Sequence, residues 1–351
     1  MNFCVHIDTG SEVHGYFVPD GYSTVPKIHV RLDSESDVQE IYTWVFIEGA
    51  RAQGAHETGN VGFVLSEANV PGLTNALSLQ LSDPETGLVF YRRAQVGQYI
   101  PKKVLRIETG LVPQREIDTS VKDHFQFFEQ QIEHHGFETI RQMLEIIHQP
   151  SVYVSGRIPL KNFRVYIDYN IDTTLISLRD PFVELATRLA VFSRIKATKF
   201  SFVSPRDMII FKSVIDWFDG IDMKDESAVV KAILNAPADT LSLLSSPFTH
   251  QLVAASPADT VRLEDVSQAL DVLSQFTVFD SGRDNSGYSR SIAAALDLAP
   301  TAISVRPPLD AILDLSDVIR KIGRIEHILE VDLVLYHFIE KAEKRAFDGL
   351  A

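Results

Sequence analysis

The residue best placed to bind an anion is Arg179, where a predicted strand gives way to a predicted helix. Residues 175–178 form an apolar run typical of a buried strand, and residues 183–192 carry apolar side chains at helical spacing. Between them, Asp180 and Pro181 are the N-cap and first-turn residues with which helices commonly begin. Backbone N–H groups at a helix start carry partial positive charge, and a guanidinium beside them favours phosphate. The spacing therefore predicts an anion site at Arg179, with a buried ion pair to an acidic neighbour as an equally good interpretation.

The composition indicates a globular protein rather than a disordered one. Of 351 residues, 45% are hydrophobic and 23% are charged, and this length is sufficient for two domains. Acidic residues outnumber basic ones by 47 to 33, which gives a net charge of −14, and no basic stripe is present. Because nucleic-acid-binding proteins usually carry such a stripe, nucleic acid is not an expected partner.

Cysteine content and hydropathy indicate in which cellular compartment the protein is expected. Cys4 is the single cysteine, which excludes an intramolecular disulfide and a cysteine-based zinc cluster. No apolar run approaches the roughly 20 residues that span a bilayer. The first residues also lack the basic and apolar segments of a secretory leader. We expect a cytoplasmic protein without a transmembrane segment.

Residues 1–93 show the pattern of a β-sandwich domain. Short runs, several of them alternating between apolar and polar residues, are separated by turn residues. Four aromatic residues here could stack on sugar rings, but aromatic residues on alternating strands more often belong to the core, and we favour that interpretation. The predicted strands are 3–7, 13–18, 27–32, 41–47, 61–65, 76–81 and 88–91, and the four aromatic residues are Tyr16, Tyr22, Tyr42 and Trp44.

The rest of the chain has a different pattern. Residues 94–118 are rich in polar residues and are predicted to be a linker. Residues 119–351 show helical patterns alternating with short apolar runs, which predicts an α/β domain. Apolar residues between positions 125 and 147 indicate two helices separated at Gly136. Another helix is predicted to begin at Ser204, which is followed by proline and, three positions on, by an acid.

The order of several segments in this second half resembles that of carbohydrate sulfotransferases. These enzymes transfer a sulfo group from PAPS (3′-phosphoadenosine-5′-phosphosulfate) to a sugar. The resemblance spans about residues 150 to 347 and does not include residues 1–93. It is carried by a Ser-Gly-Arg-Ile-Pro-Leu segment (155–160), the Arg-Asp-Pro motif with its helix (175–187), a Ser-Pro-Phe-Thr-His-Gln-Leu segment (246–252), a strand (276–279) followed by a helix from Tyr288, and an Asp-x-x-Leu-Tyr pattern (331–336).

The resemblance implies an α/β sulfotransferase-like fold, with a P-loop-type parallel sheet and many helices, preceded by the β-sandwich. It also implies PAPS as cofactor and a carbohydrate or glycan as partner. On the matching positions, Arg179 and Thr187 would hold the 3′-phosphate, and Lys102 would replace the lysine of a second cofactor loop. Arg157 stands where the family has the histidine of its Ser-Gly-His segment. For Thr187, packing as an ordinary buried threonine is slightly favoured.

The sequence departs from the family at that second loop. The family has a phosphosulfate loop, Pro-Lys-[Thr/Ser]-Gly-Gly-[Thr/Ser], between a strand and a helix, and this chain has none. The nearest echo is residues 99–104, which lack glycines, and the β-branched Val104 does not suit a left-handed position. Glu184 stands where the family has a second arginine, and His250 stands where an arginine precedes the glutamine. The 3′-phosphate half of the site is partly kept, and the sulfate-transferring half is eroded.

No general base can be assigned from spacing, although sulfo transfer needs one to accept the proton of the sugar hydroxyl. The candidates are Glu108, His148, Asp180 and Glu184. For each we favour a structural interpretation, such as an N-cap for Asp180 and a solvated or pairing residue for Glu184. The catalytic residues are therefore left unassigned.

Other polar residues carry less information. His134 and His135 are adjacent and would face different directions on a helix, and no further ligand lies at a suitable spacing, so we expect no metal. Arg283 and Ser289 follow a short apolar run, where ligand-binding loops often lie, but such residues are more often part of the surface.

Two functional hypotheses follow from the sequence. In the first, the chain is a PAPS-dependent sulfotransferase acting on a carbohydrate hydroxyl. In the second, it keeps the fold without catalysis and acts as a glycan-binding or partner-binding scaffold in polysaccharide synthesis, and the missing loop favours this hypothesis. Assembly into a homo-oligomer is open in both.

Overall fold

The fold was analysed on a computed structural model, which describes residues 1–33, 37–95 and 97–348. The chain divides into two compact units. No helix in the described part of the chain is both long enough and apolar enough to cross a membrane. The first unit comprises Met1–Leu105, Val121–Val154 and Tyr166–Asp172, and the second comprises Arg106–Ser120, Ser155–Val165 and Thr173–Ala351.

The described residues form three sheets. One has the strand order β1-β2-β5, one has the order β4-β3-β6-β7, and the third has the order β12-β11-β8-β10-β9. The strands are β1 (Asn2–Asp8), β2 (Glu12–Val18), β3 (Lys27–Leu32), β4 (Gln39–Tyr42), β5 (Gly62–Ser66), β6 (Leu79–Ser82), β7 (Val89–Arg92), β8 (Lys103–Ile107), β9 (Phe127–Gln130), β10 (Val152–Gly156), β11 (Thr173–Ser177) and β12 (Val278–Asp280).

Most α-helices lie in the second half of the chain, between the strands β11 and β12 in sequence or after β12. Two single turns of 3₁₀ helix, Lys122–His124 and Ile132–His134, flank β9. The α-helices are α1 (Glu48–Ala52), α2 (Arg115–Val121), α3 (Phe137–Leu144), α4 (Leu160–Asn170), α5 (Pro181–Phe192), α6 (Pro205–Ile210), α7 (Lys212–Phe218), α8 (Glu226–Asn235), α9 (Ala238–Ser242), α10 (Pro247–Val253), α11 (Asp265–Leu273), α12 (Asn285–Ala295), α13 (Asp310–Ile319) and α14 (Gly323–Asp348).

Each of the seven runs predicted as strands between residues 1 and 93 overlaps an observed strand, and these strands form two antiparallel sheets. The run 41–47 overlaps β4 at residues 41–42 only. The alternating side chains of these strands supply a shared aromatic core. The Phe90 ring on β7 lies 5.6 Å from that of Phe3 on β1 and 5.3 Å from that of Phe17 on β2. Phe3 is also stacked at 6.0 Å on Phe127 of β9. The core of the first unit therefore joins all three sheets.

The third sheet is parallel, with helices among its connections. At the amino ends of two neighbouring strands, the Val152 N–H donates to the Lys102 carbonyl (3.1 Å). At their carboxyl ends, the Glu108 N–H donates to the Gly156 carbonyl (2.9 Å). All five residues of β10 are buried, as expected for a strand covered on both faces. The sheet confirms the α/β class and places β8 at its centre.

Two sequence predictions differ from the structure here. Residues 94–118, predicted as a linker, contain β8 and the beginning of α2. The prediction was wrong because the short buried run 104–107 resembles a connector when its neighbours in the sheet are unknown. The first of the two helices predicted between 125 and 147 is instead the strand β9, whose Phe127 N–H donates to the Ser151 carbonyl at 3.0 Å. Tertiary pairing overrides local helical spacing at this position.

The helix-start signals, in contrast, are confirmed. The Asp180 carboxylate accepts the Phe182 N–H at 2.8 Å and so caps α5. It also accepts a hydrogen bond from Arg320 at 2.9 Å, and that guanidinium lies 4.3 Å from the centre of the Phe182 ring. Ser204 and Asp207 form a capping box at the start of α6. These local hydrogen bonds fix the residues at which α5 and α6 begin.

A buried carboxylate ties α14 to the start of α10. Asp332 is fully buried and accepts hydrogen bonds from the Phe248 N–H (2.9 Å), the Thr249 N–H (2.8 Å) and the Thr249 hydroxyl (2.7 Å). Burial raises the pKa of Asp332 to about 6, against the opposing effect of these hydrogen bonds and of the Arg188 charge. The Asp332 carboxylate, on α14, thus caps the beginning of α10.

The raised pKa of Asp332 predicts a pH dependence of stability. The folded state holds this proton more tightly than the unfolded state, so the stabilisation is complete below about pH 4 and is lost as the pH rises through about 6. We expect the free energy of unfolding, measured in urea between pH 4 and 8, to fall by about 3 kcal/mol relative to Asp332→Asn, which does not titrate. A difference between the two proteins that is independent of pH would contradict this.

Candidate functional site

The Arg179 side chain lines a small cavity at the carboxyl ends of the parallel strands in the second unit. The cavity has a volume of about 20 Å³, which is room for roughly one water molecule. The chain after β12 passes close to Arg179 at Gly282. A Cβ at this position would lie 2.8 Å from the Leu178 carbonyl oxygen, and the φ of Gly282 is +75°, so the position suits glycine. Other lining residues are Glu108, Ser177, Asn285 and Tyr288.

The Arg179 guanidinium is half-buried and forms no hydrogen bond or ion pair with any residue that the structure describes. The first residue of α12, Asn285, also lines the cavity, and no side chain caps this helix at Asp284. Tyr288 is 4% exposed, and within the described chain its hydroxyl has no hydrogen-bond partner. Burial raises the pKa of Tyr288 well above its ordinary value, so its hydroxyl remains a donor. The cavity thus combines a guanidinium, a helix start and a hydroxyl.

The loop between β8 and α2 joins a parallel strand to a helix, whereas residues 99–104, the nearest echo of a phosphosulfate loop in the sequence, lie before and at the start of β8. Two carboxylates accept two of its backbone N–H groups. The Gln114 N–H donates to Glu108 at 2.7 Å, and the Leu111 N–H donates to Glu184 at 2.9 Å. A Cβ on Gly110 would lie 3.0 Å from the second oxygen of Glu184. Carboxylate oxygens therefore fill the space beside this loop.

Both carboxylates are held by buried arginines. Arg188 donates to Glu184 at 2.7 Å, one helical turn further along α5, and Glu184 is completely buried. Arg106 donates to Glu108 at 2.8 Å and to both oxygens of Asp118, at 2.8 and 3.0 Å. Such pairs are expensive to separate because each remaining charge would be left without compensation in the interior. The two carboxylates, Glu108 at the start of the loop and Glu184 on α5, are thus held against the loop N–H groups.

The segments that carry the resemblance contact one another, although they are far apart in sequence. The Gln251 amide donates to the carbonyls of Glu108 (2.9 Å) and Ile158 (3.2 Å), which joins the 246–252 segment to the 155–160 segment and to the loop after β8. The Tyr336 hydroxyl donates to the Ser281 carbonyl at 2.8 Å, directly after β12. Together with the Asp332 cap, these bonds collect the segments around the carboxyl ends of the strands.

No family model, curated protein or solved structure matches this chain.

The other three predicted cofactor residues do not line the Arg179 cavity. Lys102 precedes β8 and lies at the amino end of the strand whose carboxyl end lines it. The Thr187 hydroxyl donates to the Val183 carbonyl of its own helix at 2.8 Å, as in the packed interpretation. Arg157 forms an ion pair with Asp207 at 2.6 Å. Burial opposes ionisation of Asp207, but the Arg157 charge and hydrogen bonds from Ser204 keep its pKa below the ordinary value.

The weaker candidates are engaged elsewhere. Arg283 forms a close ion pair with Glu340 and lies over the Tyr336 ring, and the Ser289 hydroxyl donates to the Ile303 carbonyl at 2.6 Å. His148 is exposed, and His135 contacts Glu129. Among residues 1–33, 37–95 and 97–348, no group of three or more metal-binding side chains comes together.

A larger groove of about 720 Å³ lies beside the carboxyl end of β12, between α12 and α14. Its size is in the range of small-molecule sites. Four carboxylates line it, and one of the basic side chains, Arg283, is already paired with Glu340. This charge distribution is unfavourable for a polyanionic nucleotide. The lining carboxylates are those of Asp280, Asp284, Glu340 and Glu343, and the basic side chains are those of Arg283, His337, Lys341 and Lys344.

The aromatic candidates of the first unit are exposed, contrary to the core interpretation. Tyr22, Tyr42 and Trp44 are 55%, 57% and 49% exposed. Only Tyr16 is half-buried, with its hydroxyl bonded to Asn2 at 3.3 Å. Tyr16 and Tyr42 lie on strands, whereas Tyr22 lies in the turn between β2 and β3 and Trp44 follows β4. Alternation could not show which face of a strand the rest of the chain covers.

Sequence reasoning gave pairing as one interpretation of Glu184, but it missed the contact of Glu184 with the loop and the roles of Glu108 and Tyr288. The spacing of Glu184 and Arg188 at i and i+4 was a readable signal for an ion pair on one helix face. Nothing local indicates that this pair points at the Leu111 N–H, which lies 73 positions away in sequence.

Proposed function

We propose that this chain is a non-catalytic binding protein whose α/β part has a sulfotransferase-like fold. Two observations support the fold. The first of the five parallel strands in the chain, β8, is central in the sheet, and the segments that resemble the family converge on its carboxyl end. The N-terminal antiparallel sheets would be the added β-sandwich, and their shared aromatic core supports this.

The proposal that the chain is not catalytic rests on the loop after β8. A phosphosulfate group needs free backbone N–H groups and a balancing cation at such a loop. Here Glu108 accepts the Gln114 N–H and Glu184 accepts the Leu111 N–H, so these two loop donors are not available to a phosphate. Lys102 lies at the other end of β8. The loop is therefore closed by internal anions.

As a binding protein, the chain would act as a glycan-binding or partner-binding scaffold in polysaccharide synthesis. Three exposed aromatic side chains, Tyr22, Tyr42 and Trp44, support a carbohydrate partner, because aromatic faces stack on the apolar faces of sugar rings. A cytoplasmic location and self-association stay predictions.

A second candidate function is PAPS-dependent sulfo transfer to a carbohydrate hydroxyl. It is favoured by one observation, the Arg179 guanidinium that has no partner among the described residues while lining a cavity with the start of α12. The small volume of the cavity weighs against this function, as does the absence of an available base near it among the residues that the structure describes. Glu108, the acid that lines the cavity, is committed to Arg106 and to the Gln114 N–H.

Calorimetric titration of the full chain with adenosine 3′,5′-bisphosphate decides between the two. We expect no binding tighter than about 1 mM, because two loop donors are taken by Glu108 and Glu184 and the Arg179 cavity has room for only about one water molecule. The same titration of Arg179→Ala should be indistinguishable from that of the native protein. Micromolar binding that is lost in Arg179→Ala, and kept in the matched exposed variant Arg262→Ala, would overturn the proposal in favour of the transferase.

A further inference from the structure

The groove beside the carboxyl end of β12 contains a buried carboxylate without a cationic partner in the described chain. Asp280, the last residue of β12, is 8% exposed. Its Oδ2 accepts hydrogen bonds from the Ser177 hydroxyl and the Gly282 N–H, both at 2.8 Å. Its Oδ1 has no partner among the described residues, and it is not sealed inside the protein. Because Asp280 lines the groove, this oxygen is open to a ligand there.

The surroundings of Asp280 make its negative charge costly. Burial raises the pKa of Asp280, and the negative charges of Glu343 and Asp284 raise this pKa further. The hydrogen bonds from Ser177 and Gly282 oppose the shift without cancelling it. A carboxylate removed from water without a positive partner loses hydration that two hydrogen bonds do not fully replace. Asp280 thus lacks the positive charge that its burial calls for.

The other charged side chains of the groove do not supply that charge. Arg283 forms a close ion pair with Glu340, and Arg290 lies 4.0 Å from Asp284. Of the described charged side chains that line the groove, only that of Asp280 is buried. Positive and negative charges are nearly balanced over the groove as a whole, so the depth of Asp280 defines the site. The remaining charged or titratable side chains, which form no ion pair within the described residues, are those of His337, Lys341, Glu343 and Lys344.

The groove has room for an organic ligand around this carboxylate. Its volume of about 720 Å³ is far larger than a single ion and lies within the range of small-molecule sites. One open oxygen matches a hydrogen bond from an ammonium group, whereas a metal ion takes about four to eight ligands. The half-buried ring of Phe279 also lines the groove and offers apolar surface. An organic cation can therefore place its charge on Asp280 and its apolar part against this ring.

We propose that this groove binds a small organic amine, whose protonated primary amino group donates a hydrogen bond to the Oδ1 of Asp280. Such a group carries one positive charge and three N–H donors, so it supplies both the charge and the donor that the buried carboxylate lacks. The rest of the molecule extends between α12 and α14, past Gly287 and Ser291. This site is independent of the proposed glycan binding, so its failure would leave that proposal in place.

The test is calorimetric titration of the full chain with hexylamine, with hexan-1-ol as the uncharged comparison of the same length. We expect hexylamine to bind with a Kd of about 1 mM or tighter. Hexan-1-ol should bind at least about tenfold more weakly, because it brings no positive charge to Asp280. Equal binding of the two compounds, or no binding of hexylamine, would overturn the proposal.

Two variants locate the binding in the groove. Asp280→Asn keeps an oxygen that accepts the Ser177 and Gly282 hydrogen bonds but removes the charge, and it should raise the Kd of hexylamine by about tenfold or more. Ser291→Trp, at an exposed position of the groove wall, should block binding sterically and leaves Asp280 in place. Asp317→Asn removes an exposed carboxylate of α13 outside the groove, and this control should bind as the native protein does. Hexylamine binding that is unchanged in the first two variants, or equally weakened in the control, would contradict the assignment.

Thermal unfolding of Asp280→Asn distinguishes an external cation from an internal one. If no cation of the chain compensates Asp280, the amide variant should unfold at the same temperature as the native protein or at a higher one. A lower unfolding temperature would show that a lysine of α14 reaches this carboxylate in solution, and it would overturn the proposal. The same measurement verifies that Ser291→Trp and Asp317→Asn are folded.

Discussion

Replacing Arg106 with alanine is expected to lower the free energy of unfolding by about 3 to 5 kcal/mol, because it leaves buried carboxylates uncompensated. Arg106 is 2% exposed and lies between Asp118, which is 1% exposed, and Glu108, which is 6% exposed. Its guanidinium contacts both oxygens of Asp118 and one oxygen of Glu108. Without it, either these carboxylates take up protons or the surrounding strand and helix separate. Equilibrium unfolding in urea measures the loss.

The matched control for Arg106 is Arg262→Ala, which removes an arginine from an exposed pair with Glu264. Such surface pairs contribute about 0 to 1 kcal/mol, so this variant should unfold almost as the native protein does. A loss below about 1 kcal/mol in Arg106→Ala would show that the carboxylates are not held by this guanidinium in solution.

Replacing Glu184 with alanine is expected to cost a similar amount, about 3 to 5 kcal/mol. The substitution removes the acceptor of the Leu111 N–H and leaves the guanidinium of Arg188, which is 5% exposed, without its carboxylate. Glu184→Gln keeps an oxygen that can accept the Leu111 N–H, so it should cost less than the alanine variant. Urea unfolding of both variants gives the order.

A double-mutant cycle separates the ion pair from the loop contact. Glu184 and Arg188 are in direct contact, so Glu184→Gln and Arg188→Met should couple by about 0.5 to 3 kcal/mol, with the double variant more stable than the sum of the single losses predicts. Additive losses would contradict the pairing. Lys212→Ala, which breaks an exposed pair with Asp216 at the same i, i+4 spacing, is the control and should cost under about 0.5 kcal/mol.

The substitutions of Arg106 and Glu184 also test why the loop after β8 would not bind the phosphosulfate of a cofactor. In a phosphate-binding loop, the ligand supplies the negative charge, and the backbone N–H groups of the loop are free to donate to it. In this chain the charge belongs to the side chains of Glu108 and Glu184, which fold into place with their arginines. The stability of the second unit and the closure of the loop therefore have the same cause.

Much of the local structure was determined by sequence alone. Alternation of apolar residues gave runs that overlap all seven strands before residue 93, and the capping residues Asp180 and Ser204 located the starts of α5 and α6. These signals work because they involve neighbours in the chain, whose geometry follows from the backbone. The net charge and the single cysteine are likewise properties of composition.

Only the tertiary structure decided what the key side chains do. Tyr42 and Trp44 are exposed because the packing of the first unit leaves them uncovered, which alternation could not show. The strand β9 exists because residue 127 pairs with residue 151, against its local helical pattern. The Glu184 carboxylate accepts the Leu111 N–H across 73 positions of sequence, and the Arg179 guanidinium has no hydrogen-bond or ion-pair partner among the described residues. Contacts between distant residues depend on the whole fold, so no local pattern could reveal that internal carboxylates occupy this loop.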